Sequence, residues 1–209
     1  MSYVVKELYL SLQGEGAHAG RAAVFCRFSG CNLWSGRESD RASAICQFCD
    51  TDFLGTDGDH GGKFESAEDL AELAAALWTG RGRPYVICTG GEPLLQVDAA
   101  LVTEFHRHGV EVAIETNGTL PIPADIDWVC VSPKGGGELV VHSGDELKLV
   151  FPQKNAHPER YASLNFTHFF LQPMDGPQLR ENQQLAADYC CRHPQWRLSL
   201  QMHKLLGLR

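Results

Sequence analysis

Residues 84–118 read PYVICTGGEPLLQVDAALVTEFHRHGVEVAIETNG: an apolar run of strand length, a glycine-rich turn, an amphipathic stretch, and a second apolar run ended by another turn. Pro84 to Cys88 and Glu111 to Glu115 are short and β-rich, as buried strands are. Between them a helix is expected from about Asp98 to His108, with Leu101, Val102 and Phe105 on its inward face and Gly109 as its stop. A strand, a helix and a strand in this order make a right-handed crossover between parallel strands. Repetition of that unit sets the fold class.

Upstream, Ala22 to Phe28 reads as a first buried strand, and Gly55 to Lys63 as a turn-rich loop. Ser66-Ala67-Glu68-Asp69 then has the N-cap and third-residue carboxylate of a capping box. Ala67, Leu70, Leu73, Ala74, Leu77 and Trp78 share one helical face, with Gly80 as the expected stop. Downstream, strands are expected at Trp128 to Val131, Glu146 to Phe151 and Thr167 to Leu171. A helix from about Gln178 to Arg192, stopped by Pro194, and a short strand at Trp196 to Leu200 complete the pattern. The expected architecture is an α/β partial (β/α) barrel of about six mostly parallel strands, with helices outside and one domain spanning residues 1–209.

Composition excludes several function classes. With 209 residues and 44% apolar content the chain suits one globular core, and Gly 21 and Pro 10 without a period exclude collagen-like and disordered readings. No run approaches the ~20 apolar residues of a membrane span, and the start lacks the signature of a secretion signal, so a cytoplasmic protein without a membrane partner is expected. The net charge of −8, with no Lys/Arg block, argues against binding nucleic acid through its phosphates. A small-molecule ligand is the expectation.

Eight cysteines in such a chain read as thiols or metal ligands before disulfides. Cys31, Cys46 and Cys49 form a C-x14-C-x2-C pattern followed by Asp50-Thr51. A C-x2-C turn brings two thiolates to one metal centre in both zinc and iron–sulfur sites, and spacing alone does not separate them. Cys26 lies inside the first strand, where a buried structural thiol is the commoner role, while His18 and His60 remain conceivable zinc ligands. A redox dithiol would open a helix after a strand, which Cys46-Gln47-Phe48-Cys49 does not do.

Parallel architectures carry their chemistry at the C-terminal ends of the strands. Here Thr89-Gly90-Gly91-Glu92, Thr116-Asn117-Gly118, Ser132-Pro133-Lys134 and Gln172-Pro173-Met174-Asp175 each follow an expected strand, so four strand ends converge on one rim. Gly14-x-Gly16 lacks the third glycine of a dinucleotide fingerprint, and no strand is expected immediately before it. His106 and His108 read as solvent-facing, and Cys190-Cys191 as helix packing with one exposed thiol.

Taken together, Leu12-Gln13-Gly14-Glu15-Gly16, the run from Cys26 to Trp34, Cys46 to Asp52, Thr89 to Pro93 and Glu115 to Gly118 resemble the radical S-adenosylmethionine enzymes. With Ser132-Pro133-Lys134, Glu146-Leu147-Lys148 and Gln172 to Gly176, the resemblance narrows to the 7-carboxy-7-deazaguanine synthase family and spans nearly the whole chain in order. It implies a 4Fe-4S cluster on Cys31, Cys46 and Cys49, with one iron open for S-adenosylmethionine and a 5′-deoxyadenosyl radical as the reactive product. The long spacing between Cys31 and Cys46 departs from the compact C-x3-C-x2-C of the wider superfamily.

The same resemblance implies that Gly91, Ser132, Pro133, Lys134, Gln172, Pro173, Met174 and Asp175 bind the cofactor. It places Leu12, Gln13, Gly14, Arg27, Thr89 and the terminal Arg209 against the pterin substrate, and Thr51 on Mg2+, with Asp50 or Asp52 as alternatives. The implied reaction converts 6-carboxy-5,6,7,8-tetrahydropterin to 7-carboxy-7-deazaguanine with loss of ammonia, on the route to queuosine. An external electron donor and a homodimer are implied as partners. The competing readings are a glycyl-radical activating enzyme and a non-catalytic zinc-binding module.

Overall fold

The computed structural model describes residues 2–208. Its nine strands form one open sheet: β1 (Tyr3–Leu12), β2 (Ala22–Phe28), β3 (Gly62–Phe64), β4 (Tyr85–Gly90), β5 (Glu111–Thr116), β6 (Trp128–Val131), β7 (Ser143–Phe151), β8 (Asn165–Pro173) and β9 (Trp196–Leu198). The spatial order is β3-β1-β2-β4-β5-β6-β7-β8-β9. From β2 to β9 every neighbouring pair is parallel, whereas β1 runs antiparallel to both β2 and β3. The sheet curves around a cavity without closing.

Two expectations about the strands need correction. Among the described residues the strands number nine and not about six, because the opening segment is itself a ten-residue strand and β3 forms within residues 62–64, at the end of the turn-rich stretch. Consequently a strand does end, at Leu12, just before Gly14-x-Gly16. Dinucleotide binding still fails there, since β1 is antiparallel to β2 and no helix follows it.

Helices α1 (Ala67–Ala76), α2 (Ala99–Arg107) and α3 (Leu179–Arg192) cover the outer face, and a short α4 (Met202–Leu206) lies near the chain end. Ser66 caps α1 by accepting from Asp69 N at 3.1 Å. Asp98 caps α2 by accepting from Leu101 N at 2.9 Å and also receives the Tyr3 hydroxyl at 2.9 Å, tying that helix to β1. Helix α2 ends as expected, at Gly109 with φ +70°. Helix α1 ends at Leu77 and not at Gly80, closed by Leu77 N on Leu73 O at 3.1 Å. The five residues of α4 were too few to produce a legible helical period.

The outer face holds two apolar clusters. One packs β1, β2, β4 and β5 under α1 and α2, and the other packs β6, β7 and β8 under α3. Leu101, Val102 and Phe105 of α2 are buried as their spacing requires. Leu101 is wholly buried in the first cluster. Leu101→Ala is therefore expected to lower unfolding free energy by about 2–5 kcal/mol. A urea titration measures it, and a loss below about 1 kcal/mol would contradict this packing.

Candidate active site

Strand parity decides which side chains reach the cavity. Along β2, Val24, Cys26 and Phe28 pack under the helices, while Ala23 and Phe25 belong to the inner face. Arg27 is next in the inner series and enters the cavity. The same alternation sends Thr89 of β4, Glu115 of β5, Cys130 of β6, Lys148 of β7 and Gln172 of β8 inward. These strand ends and the loops above them enclose about 500 Å³, a volume ordinary for a small-ligand site.

Among the residues singled out from sequence, Leu12, Gln13, Gly14, Arg27, Cys46, Cys49, Thr51, Thr89, Gly91, Ser132, Lys134, Gln172, Pro173, Met174 and Asp175 line this one cavity. Cys31 and Pro133 do not line it. Cys31 sits behind Gly91, and the Pro133 carbonyl accepts from Gln153 Nε2 at 3.1 Å, behind the rim. Arg209 lies outside the described residues.

The turn after β4 is fastened to the loop that carries Cys31. Gly91 N donates to Phe28 O at 3.3 Å and Glu92 N to Gly30 O at 2.9 Å. A Cβ on Gly91 would collide with Gly30 O and Cys31 Cβ, so only glycine allows this approach. The wholly buried Glu92 carboxylate accepts from Leu94 N at 3.0 Å, Thr116 Oγ1 at 2.7 Å and Asn117 N at 2.8 Å, joining the ends of β4 and β5. Burial pushes its pKa up even against those donors.

The C-x2-C turn has no regular structure. The Cys46 thiol donates to Cys49, which pulls the Cys49 pKa down to about 6, helped by the Thr51 backbone N–H, and pushes that of Cys46 up. Burial raises the pKa of Cys31, with Glu92 and Cys49 adding in the same direction. Cys26 is fully buried against the helices, as a structural thiol. The His18 ring lies tilted by 34° against Trp128, with ring centroids 4.0 Å apart, and bonds the Tyr85 hydroxyl at 2.9 Å. His60 is exposed.

Among the described residues no three His, Cys, Asp or Glu side chains stand close enough to hold one metal ion. A closed zinc site asks for four donors around one ion, whereas each thiolate on a cubane takes a different iron. The three thiols fit the cluster better. Gln172 supplies a further sign of a ligand: its Oε1 is buried in the cavity wall with no hydrogen-bond partner. An unmet buried acceptor costs about 1–3 kcal/mol, which a donor on a bound molecule would offset.

Several residues at the cavity drew no role from sequence. Lys148, 5% exposed, lies 2.7 Å from Glu15 and 3.2 Å from Glu115. Burial opposes its charge, but Glu115 and Glu15 outweigh that and raise its pKa. Gln13 Nε2 donates to Glu115 at 2.8 Å, and Gln201 Nε2 to Glu15 at 3.0 Å. The available signal was charge at alternate positions of otherwise apolar strands, as in ELKLVF. At the mouth, Lys204 of α4 bridges Asp50 at 2.6 Å and Asp175 at 2.5 Å, and Met202 N donates to Gly14 O at 2.9 Å. A Cβ at Gly14 would collide with His203, so that glycine lets the chain end close over the site.

Arg27 is held by Glu7 at 2.8 Å and the Tyr9 hydroxyl at 3.0 Å. Lys134 Nζ donates to Ser132 O at 2.9 Å and Ser132 Oγ at 2.6 Å. One rim thus gathers thiols, a glycine turn against the first of them, and a polar inner wall. Residues 39–142 match the model of the Radical SAM superfamily, and the fold and site together define a radical S-adenosylmethionine enzyme. A 7-carboxy-7-deazaguanine synthase from Bordetella pertussis is 64% identical over 209 residues, covering 100% of both chains. One from Caulobacter vibrioides is 63% identical over 209 residues with the same coverage. The crystal structure of QueE from Escherichia coli matches with a TM-score of 0.75 at 28% identity, covering 97% of this chain and 95% of that one. This chain belongs to the 7-carboxy-7-deazaguanine synthase family.

The thiol environments give a pH test. In metal-free protein, alkylation of Cys49 is expected to rise through about pH 6 and level off above it, because its thiolate forms there. Cys88, pushed up to about 12 by burial, stays unreacted. Peptide mass spectrometry reads both sites, and a Cys49 profile centred near an ordinary thiol pKa of about 8.5 would contradict the geometry.

Proposed function

We propose that this enzyme converts 6-carboxy-5,6,7,8-tetrahydropterin to 7-carboxy-7-deazaguanine with loss of ammonia, in queuosine biosynthesis. The observation that carries the reading is one cavity lined by Cys46, Cys49, Gly91, the partnerless Gln172 Oε1 and the charged inner wall. Cys31, Cys46 and Cys49 would hold a 4Fe-4S cluster, which when bound supplies the electron that splits S-adenosylmethionine to a 5′-deoxyadenosyl radical. Gly91 leaves room for the methionine part of that cofactor. Ser132, Pro133, Lys134, Gln172, Pro173, Met174 and Asp175 flank its remainder.

Opposite them, Leu12, Gln13, Gly14 and Thr89 form the pterin wall, with Gln13 held in place by Glu115. Arg27 presents a guanidinium to the substrate carboxylate, oriented by Glu7 and Tyr9. Thr51 is the Mg2+ ligand in this reading. Asp50 and Asp52 are both engaged elsewhere, with Lys204 at 2.6 Å and Lys6 at 2.9 Å.

The enzyme works as one catalytic unit in the cytoplasm with an external electron donor. Its acidic charge of −8 supports a small-molecule partner over nucleic acid, and among the described residues no helix is long and apolar enough to cross a membrane. The assembly is a homodimer in this reading.

Anaerobic incubation with reductant, S-adenosylmethionine, Mg2+ and the carboxytetrahydropterin is expected to give a deazapurine detectable by mass. Cofactor cleavage without that product would overturn the substrate assignment. Arg27→Ala should lower kcat/KM by about 10–100-fold, the cost of a charge-assisted contact. Unchanged kinetics would remove Arg27 from the substrate site.

A further inference from the structure

The residues between Cys31 and Cys46 lie outside the roles assigned above, yet they are well tied. Trp34 is buried edge-on to Phe53, with centroids 5.6 Å apart, and its Nε1 donates to Arg37 O at 3.2 Å. A short 3-10 turn, Glu38–Ser43, then brings Arg41 back across the loop. The Arg41 guanidinium lies over the Trp34 ring at 4.0 Å and pairs with Glu38, Nε donating at 2.8 Å and Nη2 at 2.5 Å. Its Nη1 donates to Gln47 O at 3.0 Å and to Cys49 O at 3.0 Å. Gln47 Nε2 answers by donating to Ala42 O at 2.9 Å.

We propose that this segment is a brace for the C-x2-C turn, and that Arg41 is its positioning residue. The turn from Cys46 to Cys49 has neither strand nor helix to hold it. One guanidinium nitrogen on the carbonyls of Gln47 and Cys49 fixes the two peptide planes relative to each other. Trp34 below and Glu38 beside it fix the guanidinium in turn. A planar fork can hold a ring, a carboxylate and two carbonyls at once, which a lysine ammonium cannot. The hydrogen bonds to the turn go to backbone oxygens, so Arg41 acts through the placement of Cys46 and Cys49. A loop ordered beforehand loses less conformational entropy when a cluster is loaded. The long Cys31-to-Cys46 spacing thereby has a mechanical purpose: it is the length needed to loop out, stack and return.

This proposal rests on the reading of Cys31, Cys46 and Cys49 as cluster ligands, and its test separates the two. In metal-free protein, alkylation of Cys46 and Cys49 is compared with the exposed Cys191 by mass spectrometry. In reconstituted protein, iron loss to a chelator and KM for the pterin are measured. Arg41→Ala is expected to speed both alkylation and iron loss about tenfold, the factor that loss of a charge-assisted contact gives, with pterin KM per loaded cluster unchanged. Arg41→Lys, which keeps charge without the fork, should fall between, and carries the test alone if Arg41→Ala does not fold. Unchanged rates in Arg41→Ala, or wild-type rates in Arg41→Lys, would overturn the brace. A wild-type protein that takes up no iron would sink the cluster reading, while the thiol rates would still decide the brace.

Discussion

Successive side chains of a strand face opposite sides of a sheet, and in this protein the outer side is committed to helix packing. Val24, Cys26, Val86, Cys88, Val112 and Ile114 fill the layer under α1 and α2, while Leu147, Leu149 and Leu171 fill the layer under α3. Everything at intermediate positions must point into the concavity. The inner face is apolar only in part, where Tyr9, Phe25, Tyr85 and Ile87 cluster. Toward the strand ends it becomes Arg27, Thr89, Glu115, Lys148 and Gln172. The site is the polar remainder of a sheet whose other face is spent on stability.

That polar remainder is expensive to maintain. Lys148 between Glu15 and Glu115 is a buried ion network, and such networks seldom stabilise a fold more than well-packed apolar residues would. Its presence in an open sheet suits a site that must orient polar ring edges in a region shielded from water, where each hydrogen bond counts for more than at the surface. The loops obey the same economy of position. Glu92 spends its three acceptor contacts on joining two strand ends, which sets Gly91 against Cys31. Arg41 does the corresponding task for the other two cysteines.

Much of this was legible in the sequence, for identifiable reasons. Periodicity placed α2 and β6, because Leu101, Val102 and Phe105 leave one helical face and WVCV is bounded by turns. Turn chemistry at strand ends found the rim, and fifteen of the residues to which the family resemblance gave a role line one cavity. The misses have physical causes. Strand β1 mixes charged and apolar residues because it is antiparallel near one edge, with Lys6 and Glu7 both taken up by ion pairs. Helix α4 is one turn and a half, held by contacts to Gly14, Asp50 and Asp175 that are distant in sequence. Lys148 and Glu115 were in view as letters, but their pairing exists only once β5 and β7 stand on either side of β6.

The proposed function requires that Cys31, Cys46 and Cys49 carry a cubane whose fourth iron has no ligand from the protein. Mössbauer spectroscopy of iron-57-loaded protein kept free of oxygen, before and after addition of S-adenosylmethionine, tests this directly. The account predicts four irons per chain, with the signal of one of them changing when S-adenosylmethionine is added. Four irons that are all insensitive to S-adenosylmethionine, or a site holding a single zinc, would contradict it.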